Sequence, residues 1–122
     1  MSVKTKKVGQ EGEDLATEVL ISKGYEIIKR NYRFGKGEID IIANDPGTGY
    51  LVFVEVKSRV NLEYGLPEYS ITRNKIRQIK KIAELYLYEN NIQQIDCRFD
   101  VVTILFRPKV KPVINHYINA FM

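Results

Sequence analysis

Long apolar runs are missing from this 122-residue chain, and none approaches the roughly 20 residues that a membrane helix needs. The opening MSVKTKKVGQEGE has no apolar stretch of the signal-peptide kind, so secretion by that route is not expected. Cysteine is down to one, Cys97, which excludes an internal disulfide and a cysteine-based zinc site and makes a reducing cytoplasm the expected compartment. Cys97 itself reads as a small buried hydrophobe. Histidine is also single, and His116 reads as a member of a terminal strand with no catalytic pairing. Internal repeats and low-complexity linkers are absent too. With the length, that leaves one domain, residues 1–122, whose first seven residues are expected to be loose.

What is present is the make-up of an ordinary folding chain, with 44% hydrophobic and 28% charged residues. Nineteen Lys and Arg against 15 Asp and Glu leave a net charge of +4, which permits a polyanionic partner without demanding one. Basic residues gather at Lys4, Lys6 and Lys7, at Lys29, Arg30, Arg33 and Lys36, and at Arg73, Lys75, Arg77, Lys80 and Lys81. Each cluster alone also reads as a solvated face.

From about Val8 the positions Gly12, Leu15, Ala16 and Val19 recur at helical spacing, which predicts an amphipathic helix closing near Gly24. Residues 25–33 read as a strand. Two more strands, 38–44 and 51–58, flank the turn-forming run DPGTG and predict a hairpin. A second amphipathic helix is expected over Thr72–Glu89, with Ile76, Ile79, Ile82, Ala83, Tyr86 and Leu87 on its apolar side. Strands over 98–106 and 113–119 complete the chain. This order predicts an α/β (α+β) fold in which helices flank a mixed central sheet, with the third and fourth strands parallel across a right-handed crossover.

The chemistry concentrates in VFVEVK. Val52, Val54 and Val56 share one face of that strand, while Leu51, Phe53, Glu55 and Lys57 share the other. Charge therefore appears only at the C-terminal end of a face that begins apolar. A hairpin register pairing Asn44 with Leu51 would set Asp40 across from Glu55, with Ile39 and Ile41 together on the opposite face. Carboxylates so placed lie about 4.5–5.5 Å apart at Cβ and repel unless a cation lies between them. Mg²⁺ prefers one or two carboxylates plus water and phosphate oxygens. Lys57, roughly 7 Å beyond Glu55, could reach the edge of such a site. The plainer alternative is a surface ion pair between Lys57 and Asp40 or Glu55.

Asp40 followed by Glu55-Val56-Lys57, in this order of helices and strands, resembles the PD-(D/E)XK nuclease core of restriction enzymes and Holliday junction resolvases. The phrases GQEGEDLA, GEIDIIA, FVEVKSR and RFDVV are similar, across nearly the whole chain, to the YraN-like family of small bacterial endonucleases. The resemblance implies a restriction-endonuclease-like α-β-β-β-α-β core with an extra C-terminal strand. It further implies a metal-dependent endonuclease acting on DNA, branched or single-stranded. Asp40 and Glu55 would hold Mg²⁺ or Mn²⁺, Lys57 would assist the attacking water, and Glu13 would match an extra acidic residue of resolvase-like members. The residue before Asp40 is Ile39, preceded by Glu38, so the literal Pro-Asp is missing.

Arg59 and Lys75 are candidate phosphate contacts, and Arg73, Arg77, Lys80 and Lys81 form a stripe able to track a backbone. Tyr32, Tyr64 and Tyr69 are candidates for stacking on bases. Asp100 reads as structural, with Arg98 as its partner. Because resolvase-like members cut paired strands as symmetric dimers, a homodimer is a further expectation. Two rival readings stand beside the nuclease. One is a non-catalytic nucleic-acid-binding module of the same fold, the other an interaction protein whose trio is a salt-bridge cluster.

Overall fold

The computed structural model describes residues 3–60 and 71–121, with side chains from Val8 onward. The elements run α1 (Val3–Ser22), β1 (Glu26–Phe34), β2 (Gly37–Asp45), β3 (Tyr50–Arg59), α2 (Arg73–Glu89), β4 (Cys97–Arg107) and β5 (Val110–Tyr117). Two boundaries differ from expectation. The first helix begins at Val3 rather than near Val8, and the last strand starts at Val110 and is over by Tyr117.

Local chemistry explains the joints. Asp45 accepts from the Gly47 N–H and the Thr48 hydroxyl, both at 3.0 Å, and so closes the β2–β3 turn, where Gly49 takes a φ of +78°. Thr72 caps α2 by accepting from the Lys75 N–H at 3.1 Å.

The five strands lie in sequence order in one sheet, all neighbours antiparallel except β3 and β4, which are parallel as the helical crossover requires. The two sides bury separate cores. Tyr32, Ile39, Ile42, Leu51, Phe53 and Val101 pack beneath Ile79, Ile82, Ala83 and Tyr86 of α2. Ile41, Ala43, Val52, Val54, Val102 and Ile104 pack against Ala16 and Leu20 of α1. Each large aliphatic or aromatic side chain taken fully from water contributes about 1.5–3 kcal/mol, so these two layers hold the sheet between its helices.

Close approach on both sides depends on glycine. A Cβ on Gly12 would collide with the Ser58 side chain of β3, and one on Gly37 would collide with Ile82 of α2. Tyr32 belongs to the core under α2, with its hydroxyl donating to Glu89 at 2.7 Å, and so is not a surface stacking platform. Tyr64 and Tyr69 lie outside the described residues. No described helix is long and apolar enough to cross a membrane.

Candidate functional site

The β2–β3 register pairs Asn44 with Leu51, as the hairpin reading requires, and continues to Ile41 opposite Val54. There the paired positions end, one residue short of Asp40. On the other side of β2 the ladder skips the same place, passing from Arg30↔Ile41 to Tyr32↔Ile39 without an Asn31–Asp40 pair. Asn31 has a φ of +55°, a left-handed conformation that asparagine tolerates better than most residues. The two sides of the break face differently. Ile39 joins the core under α2 and Ile41 the core under α1, so their expected common face is corrected by an irregularity at Asp40.

That irregularity changes what Asp40 does. Its Oδ2 accepts from the Val56 N–H at 2.7 Å, so a side chain stands where a neighbouring carbonyl would continue the ladder. Asp40 is thereby fixed against β3. Glu13 from α1 and Glu38 from β2 bring one carboxylate oxygen each within 4.8 Å of an Asp40 oxygen and of each other. The Asn31 amide, with its nitrogen assigned toward them, donates to Glu13 Oε1 at 2.9 Å and to Glu38 Oε1 at 2.7 Å. Glu38 and Asn31 were not among the residues singled out from sequence. The alternation of Glu38 and Asp40 around Ile39 carried the signal for the first, whereas no pattern announces the second.

Glu13, Asp40, Glu55, Lys57, Ser58 and Arg59 line one open cleft of about 310 Å³, bounded also by Val8 and Gly9 of α1. Glu55 is 4% exposed, and its Oε2 has no hydrogen-bond partner among the described residues. Its Oε1 is approached by two ammonium groups, Lys57 Nζ at 3.8 Å and Lys75 Nζ of α2 at 3.9 Å. Both distances exceed hydrogen-bonding range, so the lysines soften the charge without satisfying the acceptor.

The consequence is a group of carboxylates reluctant to ionise. Burial, reinforced by the Asp40 charge, pushes Glu55 up to about 8. Burial pushes Asp40 up to about 6 against the Val56 hydrogen bond, with Glu38 adding to the rise. Glu13 rises to about 7, through burial and then the charges of Asp40 and Glu38. These oxygens suit a hard divalent cation. The donors are all carboxylate, one buried oxygen is orphaned, and a positive ion between the groups would remove the repulsion that holds them protonated.

Of the expected nucleic-acid contacts, Arg59 lines the cleft with an Nε that has no partner among the described residues, and Lys75 reaches Glu55. Arg73 and Arg77 stay exposed on the first turns of α2, Arg77 donating to Asn74 of the same helix. They do not line the cleft.

Asp100 lies in a second buried polar group, fully enclosed. Arg98 donates to it through Nε at 2.9 Å and Nη2 at 3.0 Å, and Asn119 through its backbone N–H at 3.0 Å. His116, in β5 as expected, contacts Asp100 Oδ2 through Nε2 at 2.8 Å, and its Nδ1 lies 2.8 Å from Lys23 Nζ. Lysine is a donor only, so Nδ1 accepts and Nε2 carries the proton given to Asp100.

The model of the uncharacterised protein family UPF0102 matches residues 12–104, from the middle of α1 through most of β4. A UPF0102 protein of Pelobacter propionicus is 43% identical over 95% of this chain and 83% of its own length. One from Persephonella marina is 47% identical, covering 93% of this chain and 91% of the relative. One from Natranaerobius thermophilus is 46% identical over 95% and 98%. The cleft residues Glu13, Asp40, Glu55 and Lys57, and Glu38 beside them, all fall inside the family match, and the chain belongs to UPF0102, the YraN family that its four phrases resemble.

Proposed function

We propose that this chain is a metal-dependent endonuclease that hydrolyses phosphodiester bonds in DNA. The observation that carries the reading is the orphaned Glu55 Oε2, buried in an open cleft beside Asp40. A carboxylate oxygen left so costs a desolvation penalty that no described residue offsets with a hydrogen bond, and a cation with a bound phosphate would offset it.

Asp40 and Glu55, with Glu13 and Glu38 around them, are the groups that would hold Mg²⁺ or Mn²⁺. Bound there, the ion supplies Lewis-acid polarisation of a phosphoryl oxygen and lowers the pKa of its water. The chain's own residues do the rest. Val56 N–H and Asn31 fix the directions of Asp40, Glu13 and Glu38 before any ligand arrives. Lys57, whose ammonium is not tied into a short hydrogen bond with Glu55, can turn to a non-bridging phosphate oxygen or orient the attacking water. Arg59 offers in the same cleft an Nε–H donor that no described residue accepts from.

The test compares wild type with Asp40→Asn, Glu55→Gln and Lys57→Ala on labelled single-stranded, duplex and four-way-junction DNA, in EDTA, Mg²⁺ or Mn²⁺. Cleavage should need the metal, and losing the Lys57 donor should slow it by about 100-fold or more, in variants that melt as folded proteins. Binding without cleavage under every metal would establish the non-catalytic binding module instead. Absence of both binding and cleavage would leave the acidic group as a structural cluster.

A further inference from the structure

A second concavity, of about 250 Å³, lies between the β1–β2 turn and α2, lined by Phe34, Lys36, Gly37, Gln78, Lys81 and Ile82. Phe34 is a large apolar ring left 43% exposed, and among the described residues no carboxylate lines the groove beside it. Gly37 seats the turn directly on α2, because a side chain there would collide with Ile82 and press on Gln78. The ring is therefore held next to the polar side of the helix. Arg73, Arg77 and Lys81 follow one another at four-residue spacing on α2, all exposed, and form a cationic row that leads from the start of the helix to this groove.

We propose that this groove is a stacking subsite for an unpaired base of a nucleic-acid strand, with Phe34 against the base face and Lys36 and Lys81 on the flanking phosphates. The chemistry selects such a ligand on three counts. An exposed aromatic ring offers a π-face to any base, two cations with no acid among the described lining residues match a polyanion, and the Gln78 amide presents both a donor and an acceptor to a base edge. The base must be unpaired, because bases inside a duplex have both faces covered by their neighbours.

Position ties the subsite to the acidic cleft, and in this respect the proposal rests on the nuclease reading. Since β2 and β3 are antiparallel, the turn before Gly37 and the C-terminal end of β3 lie at the same end of the sheet. Gly37 and Asp40 are three residues apart, roughly 10 Å along a strand. The cleft is bounded by α1 and the groove by α2, so a strand engaging both would cross the open end of the sheet, with its unpaired base several nucleotides from the phosphate in the cleft. The enzyme would then select substrates with a single-stranded segment beside the scissile bond.

Binding measured in EDTA separates this subsite from catalysis. Anisotropy of fluorescein-labelled oligo(dT), oligo(U) and a matched duplex would be followed with wild type, Phe34→Ala and Phe34→Tyr. Phe34→Ala should weaken single-strand binding roughly tenfold and leave duplex binding unchanged, while Phe34→Tyr should retain it. The tighter of oligo(dT) and oligo(U) names the sugar. The chain has no tryptophan, so Phe34→Trp gives a single reporter whose emission oligo(dT) or oligo(U) should quench saturably. Unaltered emission at saturation, wild-type affinity in Phe34→Ala, or an equal loss for duplex would overturn the subsite. Metal-dependent cleavage with a neutral Phe34→Ala would keep the nuclease and remove the subsite. Loss of single-strand binding in Phe34→Ala, with no cleavage by wild type under any metal, would do the reverse.

Discussion

Two sets of buried and half-buried acids lie on or against this sheet, and they are treated in opposite ways. Around Asp100 every carboxylate oxygen is served by the chain itself, through Arg98, His116 and the Asn119 N–H. Burial alone would raise Asp100, but the hydrogen bonds from His116, Arg98 and Asn119 hold it below the usual carboxylate range. Asp45, bound by Arg98 and Thr48, is held down in the same way against its own burial. In the cleft, burial and mutual repulsion win, and Glu13, Asp40 and Glu55 are pushed up to about 7, 6 and 8. One group is complete, and the other fits a partner from outside. That contrast separates an acid whose partners the fold supplies from acids that the fold leaves short of partners more sharply than burial or charge count does.

The largest effect should come from breaking the complete group. Arg98→Ala would leave Asp100 buried and short of its main partner, at a cost of about 3–5 kcal/mol in urea unfolding. Arg98→Lys should recover only part of it, since an ammonium cannot reproduce the two-pronged contact. A loss below 1 kcal/mol in Arg98→Ala would erase the distinction drawn here.

Next is the response to cation and pH. Raised carboxylates contribute stability that is fully present below their unfolded pKa, near 4.5 for Glu13 and Glu55 and 3.8 for Asp40, and that is lost as pH rises through the folded values of about 6 to 8. Metal-free protein should accordingly melt lower at pH 8.5 than at pH 6. Saturating Mg²⁺ or Mn²⁺ at pH 8.5 should restore about 2–3 kcal/mol at 100 times its Kd. Asp100 and Asp45 run the other way, since their depressed pKa values give stability that is lost only as pH falls through those values. A flat melting profile between pH 6 and 8.5 in EDTA would mean that the cleft carboxylates are already compensated.

Glu55→Gln should then stabilise the metal-free protein at pH 8 by on the order of 2 kcal/mol, whereas Asp100→Asn should destabilise it. Chemical denaturation of both variants decides the matter, and destabilisation of the same size in each would place Glu55 with the structural acids. The smallest expected effect is that of Asn31→Gly, which keeps the left-handed backbone and deletes the amide. It should cost less than about 1 kcal/mol at pH 6 and steepen the loss of stability toward pH 8, because Glu13 and Glu38 would lose their shared donor.

Much of the molecule could be read from its sequence. Alternation along VFVEVK put Glu55 and Lys57 beyond Leu51 and Phe53 on one face, DPGTG closed the hairpin, and a helix between β3 and β4 required them to be parallel. These features follow from local periodicity and turn chemistry. The break at Asp40 did not follow, because it needs Asn31 at a positive φ on a different strand, and period-two counting assumes an unbroken pleat. That assumption put Ile39 and Ile41 on one face, where the structure divides them between the two cores. The link from His116 to Asp100 was hidden for a related reason. It depends on the β4–β5 register, and the last strand begins at Val110 rather than at Val113.

The Val56 amide donates to the side chain of Asp40 rather than to a strand carbonyl. Its exchange with deuterium is therefore an isotopic clock for the cleft. Protection at Val54 reports the strand pairing alone, whereas protection at Val56 reports whether the Asp40 carboxylate is charged, turned inward and in place. A difference between the two residues, read in one spectrum, would give the state of the site without substrate, metal or turnover.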